Sequence, residues 1–150
     1  MRHKMNKVKI RTEEVPPPYW TEAARSFVLL VLNALGKENW EVSLLFCNNR
    51  YIKSLNAVYL NLDEPTDVLS FPLGEKVPGG SILAGDLVIS LDALKENADI
   101  FKVSEDEELR RLLVHGILHL SGYDHATNKT KEPMLLKQEE ILVQLTEKIL

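Results

Sequence analysis

The sequence predicts an α+β protein, with a mixed sheet of about four strands packed against helices. Three observations carry this. Segments with two-residue apolar alternation and segments with helical apolar spacing occur in one chain. The two kinds do not alternate regularly, which disfavours a doubly wound parallel sheet. The chain has 150 residues, 45% apolar and 27% charged, which suits one domain over 1–150 with its own core.

The elements follow in order. Val8 and Ile10 alternate with lysines, the pattern of a half-buried edge strand, and Pro16-Pro17-Pro18 ends it. A helix is expected from Trp20 to Leu35, with Ala23, Ala24, Phe27, Leu30, Val31 and Ala34 inward and Gly36 as its stop. Trp40, Val42, Leu44 and Phe46 mark a strand. Asn48-Asn49 caps a helix over Arg50–Leu60. The cluster Asp63 to Asp67 is a turn, and Val68 to Phe71 a short strand closed by Pro72. Residues 73–81 read as a loop, Ile82 to Ser90 as a buried strand and Leu91 to Asn97 as a helix. Ser104 followed by Glu107 is a capping box that opens a helix through Leu120, with Leu109, Leu112, Leu113 and Ile117 inward. Pro133 suits the start of a last helix whose stripe is Leu135, Leu142, Leu145 and Ile149.

Composition excludes several classes. No run of about 18 apolar residues occurs, so no membrane helix is expected. The single cysteine, Cys47, reads as a small core residue, with no disulfide-linked partner. The N-terminus carries charge without a following apolar core, which argues against a secretory signal and for a cytoplasmic protein. Twenty-two acids against 18 bases give −4, unlike a protein coated in basic charge for nucleic acid. Five bases (Arg2, Lys4, Lys7, Lys9, Arg11) crowd the start and read as a solvated terminus.

Three of the four histidines fall in one window, His115-Gly-Ile-Leu-His119-Leu-Ser-Gly-Tyr-Asp-His125; His3 belongs to the terminal tail. His115 and His119 are four apart on the capped helix and share a face. Gly122 can reverse the chain and return His125 to them. Three neutral imidazoles make the open form of a divalent metal site, with a fourth position for water; zinc suits them, and nickel or copper also bind imidazole. The pattern is close to the zincin helix, but Gly116 stands where a metalloprotease has its catalytic glutamate. Peptidase activity is therefore disfavoured, while such a metal can still activate water and polarise a phosphoryl oxygen.

His115-Gly-x-Leu-His119-Leu-x-Gly-Tyr-Asp-His125 resembles the signature of the bacterial YbeY family. So do Leu55-Asn56-x-x-Tyr59 with Asp63-x-Pro65-Thr66-Asp67-Val68-Leu69-Ser70-Phe71-Pro72, and Gly85-Asp86-Leu87-Val88-Ile89-Ser90. The resemblance implies an α+β fold and a zincin-like three-His site of His115, His119 and His125. It implies a metal-dependent endoribonuclease cutting single-stranded RNA in the 3′-end maturation of small-subunit ribosomal RNA and in ribosome quality control. Ribosomal RNA and the small subunit or its proteins are then the partners. One departure stands out: after Tyr59 the family carries Arg, associated with RNA phosphate, and this chain has Leu60. Arg50 or Lys53 on the same expected helix are candidate substitutes, or ordinary surface bases.

Asp124 is a candidate proton relay or orienting acceptor for a ligand imidazole, or simply caps its turn. Phe71 and Tyr123 are candidate base-stacking residues, with core or wall packing the alternative for Phe71. Tyr59 is expected in the core, Gly85 to permit close packing of a strand, and Asp86 to bond a loop or support the metal shell. Asp67 and Thr66 are expected to fix a turn, or to line the cleft. The acidic run Glu105–Glu108 complements a helix N-terminus. Two other functions remain open: a non-catalytic ribosome assembly factor with a vestigial metal, and a zincin-like hydrolase of another substrate.

Overall fold

The computed structural model describes residues 5–123 and 132–150. The order is β1 (Lys7–Thr12), α1 (Thr21–Ala34), β2 (Trp40–Cys47), α2 (Asn49–Leu60), β3 (Val68–Lys76), β4 (Ile82–Ser90), α3 (Leu91–Phe101), α4 (Glu105–Leu120) and α5 (Pro133–Gln144). The four strands form one mixed sheet in the order β1-β2-β4-β3. β1, β2 and β4 run parallel, and β3 pairs antiparallel with β4 at the edge. The α+β expectation and the four-stranded mixed sheet hold. No helix among the described residues is long and apolar enough to cross a membrane.

Strand alternation gives the sheet two different faces. Val8, Val42, Leu44, Phe46, Leu87 and Ile89 point to the face covered by α1 and α4, and there they join the main core. α1 buries Ala24, Phe27, Val28, Val31 and Leu32. Its inward stripe thus includes Val28 and Leu32, while Ala23, Leu30 and Ala34 are only partly buried. On the other face a smaller cluster of Leu45, Cys47, Ile52, Leu69 and Val88 lies under α2. Cys47 is fully buried there, and burial pushes its thiol up to about 12. It is an inert packing residue.

The helix starts follow the capping chemistry. The Asn48 side chain accepts from the Tyr51 N–H, Ser90 from Ala93 and Ser104 from Glu107. Each satisfies one orphan donor of a first turn.

Several expectations need correction. Pro72 does not close β3, which continues to Lys76. An edge strand pairs on one side only, so a residue without an N–H is tolerated, and the register shifts between Pro72 and Glu75. α3 runs four residues past Asn97 to Phe101. In α5 the buried positions are Met134, Gln138 and Ile141; Leu135 and Leu142 are half-buried, and Leu145 and Ile149 pack beyond the helix end. Tyr59 is not in the core: it is 64% exposed and meets Phe71 edge-to-face at 5.4 Å. Lys7, Lys9 and Arg11 form the exposed side of β1, not a frayed end.

The acidic run at the start of α4 also does more than complement a helix terminus. Asp106 and Glu108 are buried. Asp106 Oδ1 accepts from the backbone N–H groups of Ile149 at 2.6 Å and Leu150 at 3.0 Å, and Oδ2 from Arg110 at 3.0 Å. Burial pushes its carboxyl up, but the Leu150 and Ile149 N–H groups and Arg110 outweigh that and hold it below the usual range. The C-terminal segment is thereby tied to the first turn of α4. Glu108 accepts from Asn97 at 3.2 Å, and its desolvation raises its pKa.

Candidate metal centre

α4 carries the site. Its inward residues Leu109, Leu112, Leu113, Val114, Ile117 and Leu118 pack onto the sheet and fix the helix rotation. That rotation leaves His115 and His119 half-buried together at the rim of the core. Their Nε2 atoms lie 3.2 Å apart. With metal–nitrogen bonds of about 2.0–2.1 Å, two adjacent corners of a tetrahedral shell are roughly 3.3 Å apart. The pair therefore fits two ligands of one zinc-sized ion.

The tautomer of His115 agrees with that fit. Its Nδ1–H donates to Oε1 of Gln138 at 2.7 Å. An amide oxygen only accepts, so Nδ1 carries the proton and Nε2 presents its lone pair. Gln138 is buried on α5, which also joins α4 through Arg111 and Glu139. Sequence reasoning missed Gln138. The signal available was a polar residue at the helical spacing of Met134 and Ile141.

α4 ends in a Schellman turn. The Gly122 N–H donates to His119 O, the Tyr123 N–H to Leu118 O, and Gly122 takes φ +97°. The helix stop expected at Gly122 is thus found. Tyr123 is half-buried against the main core. His125 and Asp124 lie outside the described residues, as does His3. Among the described residues no set of three His, Cys, Asp or Glu side chains could hold an ion.

Two glycines permit close packing at the site, Gly116 against a side chain and Gly85 against backbone. A Cβ on Gly116 would stand 2.7 Å from Leu87 Cδ2, inside the core. That is the position where a zincin has its glutamate, so here a side chain would enter the sheet packing. A Cβ on Gly85 would stand 2.3 Å from the Phe71 carbonyl oxygen and 2.9 Å from Leu120 Cδ2, at φ +140°. The expected close packing at Gly85 is found, and it seats α4 against the β3–β4 pair.

A cleft of about 320 Å³ opens at the histidines, lined by Leu60, Asp67, Val68, Leu69 and Ser70. Asp67 both fixes the turn and lines the cleft. Its Oδ1 accepts from the Val68 N–H at 2.8 Å and lies 3.5 Å from Thr66 Oγ1, and its Oδ2 accepts from Asn97 at 3.0 Å. Asn56 donates to Glu64 O at 2.9 Å and joins the end of α2 to the same turn. Leu60, the departure noted in the sequence, therefore stands in the cleft wall itself. A neighbouring cavity of about 230 Å³ shares Asp67, Val68 and His115 and adds Arg111 and Glu108.

Arg50, Lys53, Phe71 and Asp86 are not brought to the histidines. Arg50 pairs with Glu14, through Nε at 2.8 Å, and Lys53 stands 3.9 Å from Asp63. Neither lines the cleft, and among the described residues Arg111 is the one Lys or Arg lining either cavity. Phe71 and Asp86 face the opposite side of the sheet, where they line a separate cavity under α2.

A family model described as endoribonuclease YbeY matches residues 6–146. An endoribonuclease YbeY of Treponema denticola is 45% identical over 147 residues, covering 93% of each chain. One of Aquifex aeolicus is 40% identical, covering 98% of this chain and 91% of that one. The solution structure of TM1509 from Thermotoga maritima matches with a TM-score of 0.61 and 27% identity, covering 91% of this chain and 87% of that one. With the fold and the three ordered motifs, these matches place the chain in the endoribonuclease YbeY family.

Proposed function

We propose that this chain is one hydrolase domain over 1–150, a metal-dependent endoribonuclease acting in ribosomal RNA maturation. Its specific task is cutting single-stranded RNA in 3′-end maturation and quality control of the small ribosomal subunit, in the cytoplasm. Ribosomal RNA is the substrate, and the small subunit or its proteins are the partners. His115, His119 and His125 hold one divalent ion, zinc by the chemistry of three imidazoles. The observation that carries this reading is the convergence of the His115 and His119 Nε2 atoms at 3.2 Å.

Bound there, such an ion makes a water nucleophilic near neutral pH and polarises a phosphoryl oxygen. The residues of the chain supply the rest. Gln138 holds the His115 ring in the ligating tautomer. Arg111, one turn before His115 and paired with Glu139, lines the neighbouring cavity and is a candidate to take a phosphate oxygen. Asp124, next to His125 in sequence, is the candidate to orient a ligand ring or move a proton.

The test is cleavage of an end-labelled single strand and of a duplex of the same sequence, with zinc present. Cutting confined to the single strand supports the proposal. Equal cutting of both, or of neither, overturns it. One observation favours a second reading: Leu60 makes the cleft wall apolar where the family has Arg. A non-catalytic assembly factor with a vestigial metal would support ribosome maturation in cells even with the histidine ligands replaced.

A further inference from the structure

The sheet face opposite the histidines is only half covered. α2 seals the half formed by Leu45, Leu69 and Val88, and beside it lies a cavity of about 330 Å³. That volume is at the lower end of ordinary ligand pockets, about 300–1,000 Å³, and suits a nucleoside. Tyr51 and Tyr59 of α2 and Phe71 of β3 form an aromatic wall. Ser43 and Asp86 stand side by side on its floor, as registered partners on β2 and β4. No hydrogen bond or ion pair engages the Asp86 carboxylate among the described residues. Arg11 lines the far end, and Lys9 lies across the sheet from Ser43, in register with it.

We propose that this cavity binds an unstacked guanine base of the RNA, as a subsite separate from the metal centre. The aromatic wall supplies a stacking surface for a planar base. An ionised carboxylate accepts only, through two oxygens. The Watson–Crick edge of guanine presents two neighbouring donors, N1–H and N2–H, whereas adenine, cytosine and uracil each present one donor group there. The exposed bases Lys9 and Arg11 flank the floor where the phosphates of the strand would run. β3 links this cavity to the metal cleft: Ser70 lines one and Phe71 the other, and so do Leu60 and Tyr59 at the end of α2. One strand of RNA passing over the β3 edge can therefore enter both.

The proposal rests on the nuclease reading for its ligand, and its test is kept separate from cleavage. In the first measurement, guanosine 5′-monophosphate is titrated into the full-length protein without added metal, and backbone amide shifts are followed by NMR. The expected result is movement centred on Ser43, Phe71 and Asp86, with adenosine 5′-monophosphate moving them far less. Shifts confined to the histidine cleft, or equal shifts with both nucleotides, overturn the proposal. In the second, short oligouridines with and without one guanosine are bound by fluorescence anisotropy. The expected guanosine preference is roughly tenfold, and Asp86→Asn brings it close to one. A preference that survives Asp86→Asn overturns the guanine assignment. RNA that is cut normally with no guanosine preference defeats this subsite alone; nucleotide binding here without any RNA cleavage defeats the nuclease reading alone.

Discussion

The two faces of the sheet are built to different standards. The face under α1 and α4 is closed, with a Cβ excluded by the Phe71 backbone at Gly85 and crowded by the Leu87 side chain at Gly116. The face under α2 is closed over five buried residues and otherwise open, with Ser43 and Asp86 on its floor. The histidines ride on the closed face, at its rim. Metal coordination needs ligand atoms held to a few tenths of an ångström, and a helix locked by packing supplies that. The open face has room for a group to enter and leave, and suits recognition better than chemistry.

The closed face is the more sensitive of the two to substitution. Gly116→Glu has the largest expected effect. Overpacking costs about 1–3 kcal/mol, and an unpaired buried carboxylate adds several more. The variant is expected to be largely unfolded by circular dichroism, with no peptidase activity gained. A folded Gly116→Glu protein would show that the Leu87 side chain gives way to the added group. Gly85→Ala comes next, since its Cβ meets backbone oxygen at a φ that favours glycine. We expect a loss of about 2–4 kcal/mol in denaturant unfolding.

Gln138→Leu acts at the rim of the closed face. Removing the acceptor of His115 Nδ1–H is expected to weaken zinc binding by about 10–100-fold, measured by competition with a chelator. Gln138→Glu keeps an acceptor and is expected to retain most of the affinity. Equal losses in both variants would assign Gln138 to packing alone.

The smallest effect is electrostatic. Burial raises the Glu108 pKa, so the folded state holds this proton more tightly than the unfolded chain does. That contribution to stability is complete below the ordinary value of 4.5 and is lost as pH rises through the folded value. Glu108→Gln removes the loss, and its melting temperature is expected to exceed that of the native chain at pH 8 but not at pH 4. Asp106 has the opposite sign. Its depressed pKa stabilises above the ordinary 3.8 and is lost as pH falls through the lower folded value. Asp106→Asn is therefore expected to destabilise at neutral pH and to lose less in acid.

What the sequence made legible was local. Asn48 and Ser104 cap the helices they were expected to cap, because capping is decided within four residues. His115 and His119 share a face because helical periodicity alone puts them there. What stayed hidden depended on partners distant in the chain. Gln138 reads as a polar residue until α5 is laid beside α4. Asp106 reads as part of an acidic run until the backbone at Ile149 and Leu150 arrives. Pro72 reads as a strand end until β3 proves to be an edge. Tyr59 reads as core until α2 proves to cover only half of its face. His125, the proposed third ligand, lies outside the described residues and is proposed from motif spacing and family membership.

The measurement that bears most directly on the metal centre pairs activity with composition. Native protein and His119→Ala are assayed on one end-labelled single-stranded RNA, with bound metal determined in the same samples and folding checked by circular dichroism. The expected result is one metal per native chain, metal lost from the folded variant, and cleavage reduced on the order of a thousandfold. A folded, metal-depleted His119→Ala that cuts as fast as the native protein would contradict the central claim, that the histidines on the rim of the closed face perform the chemistry.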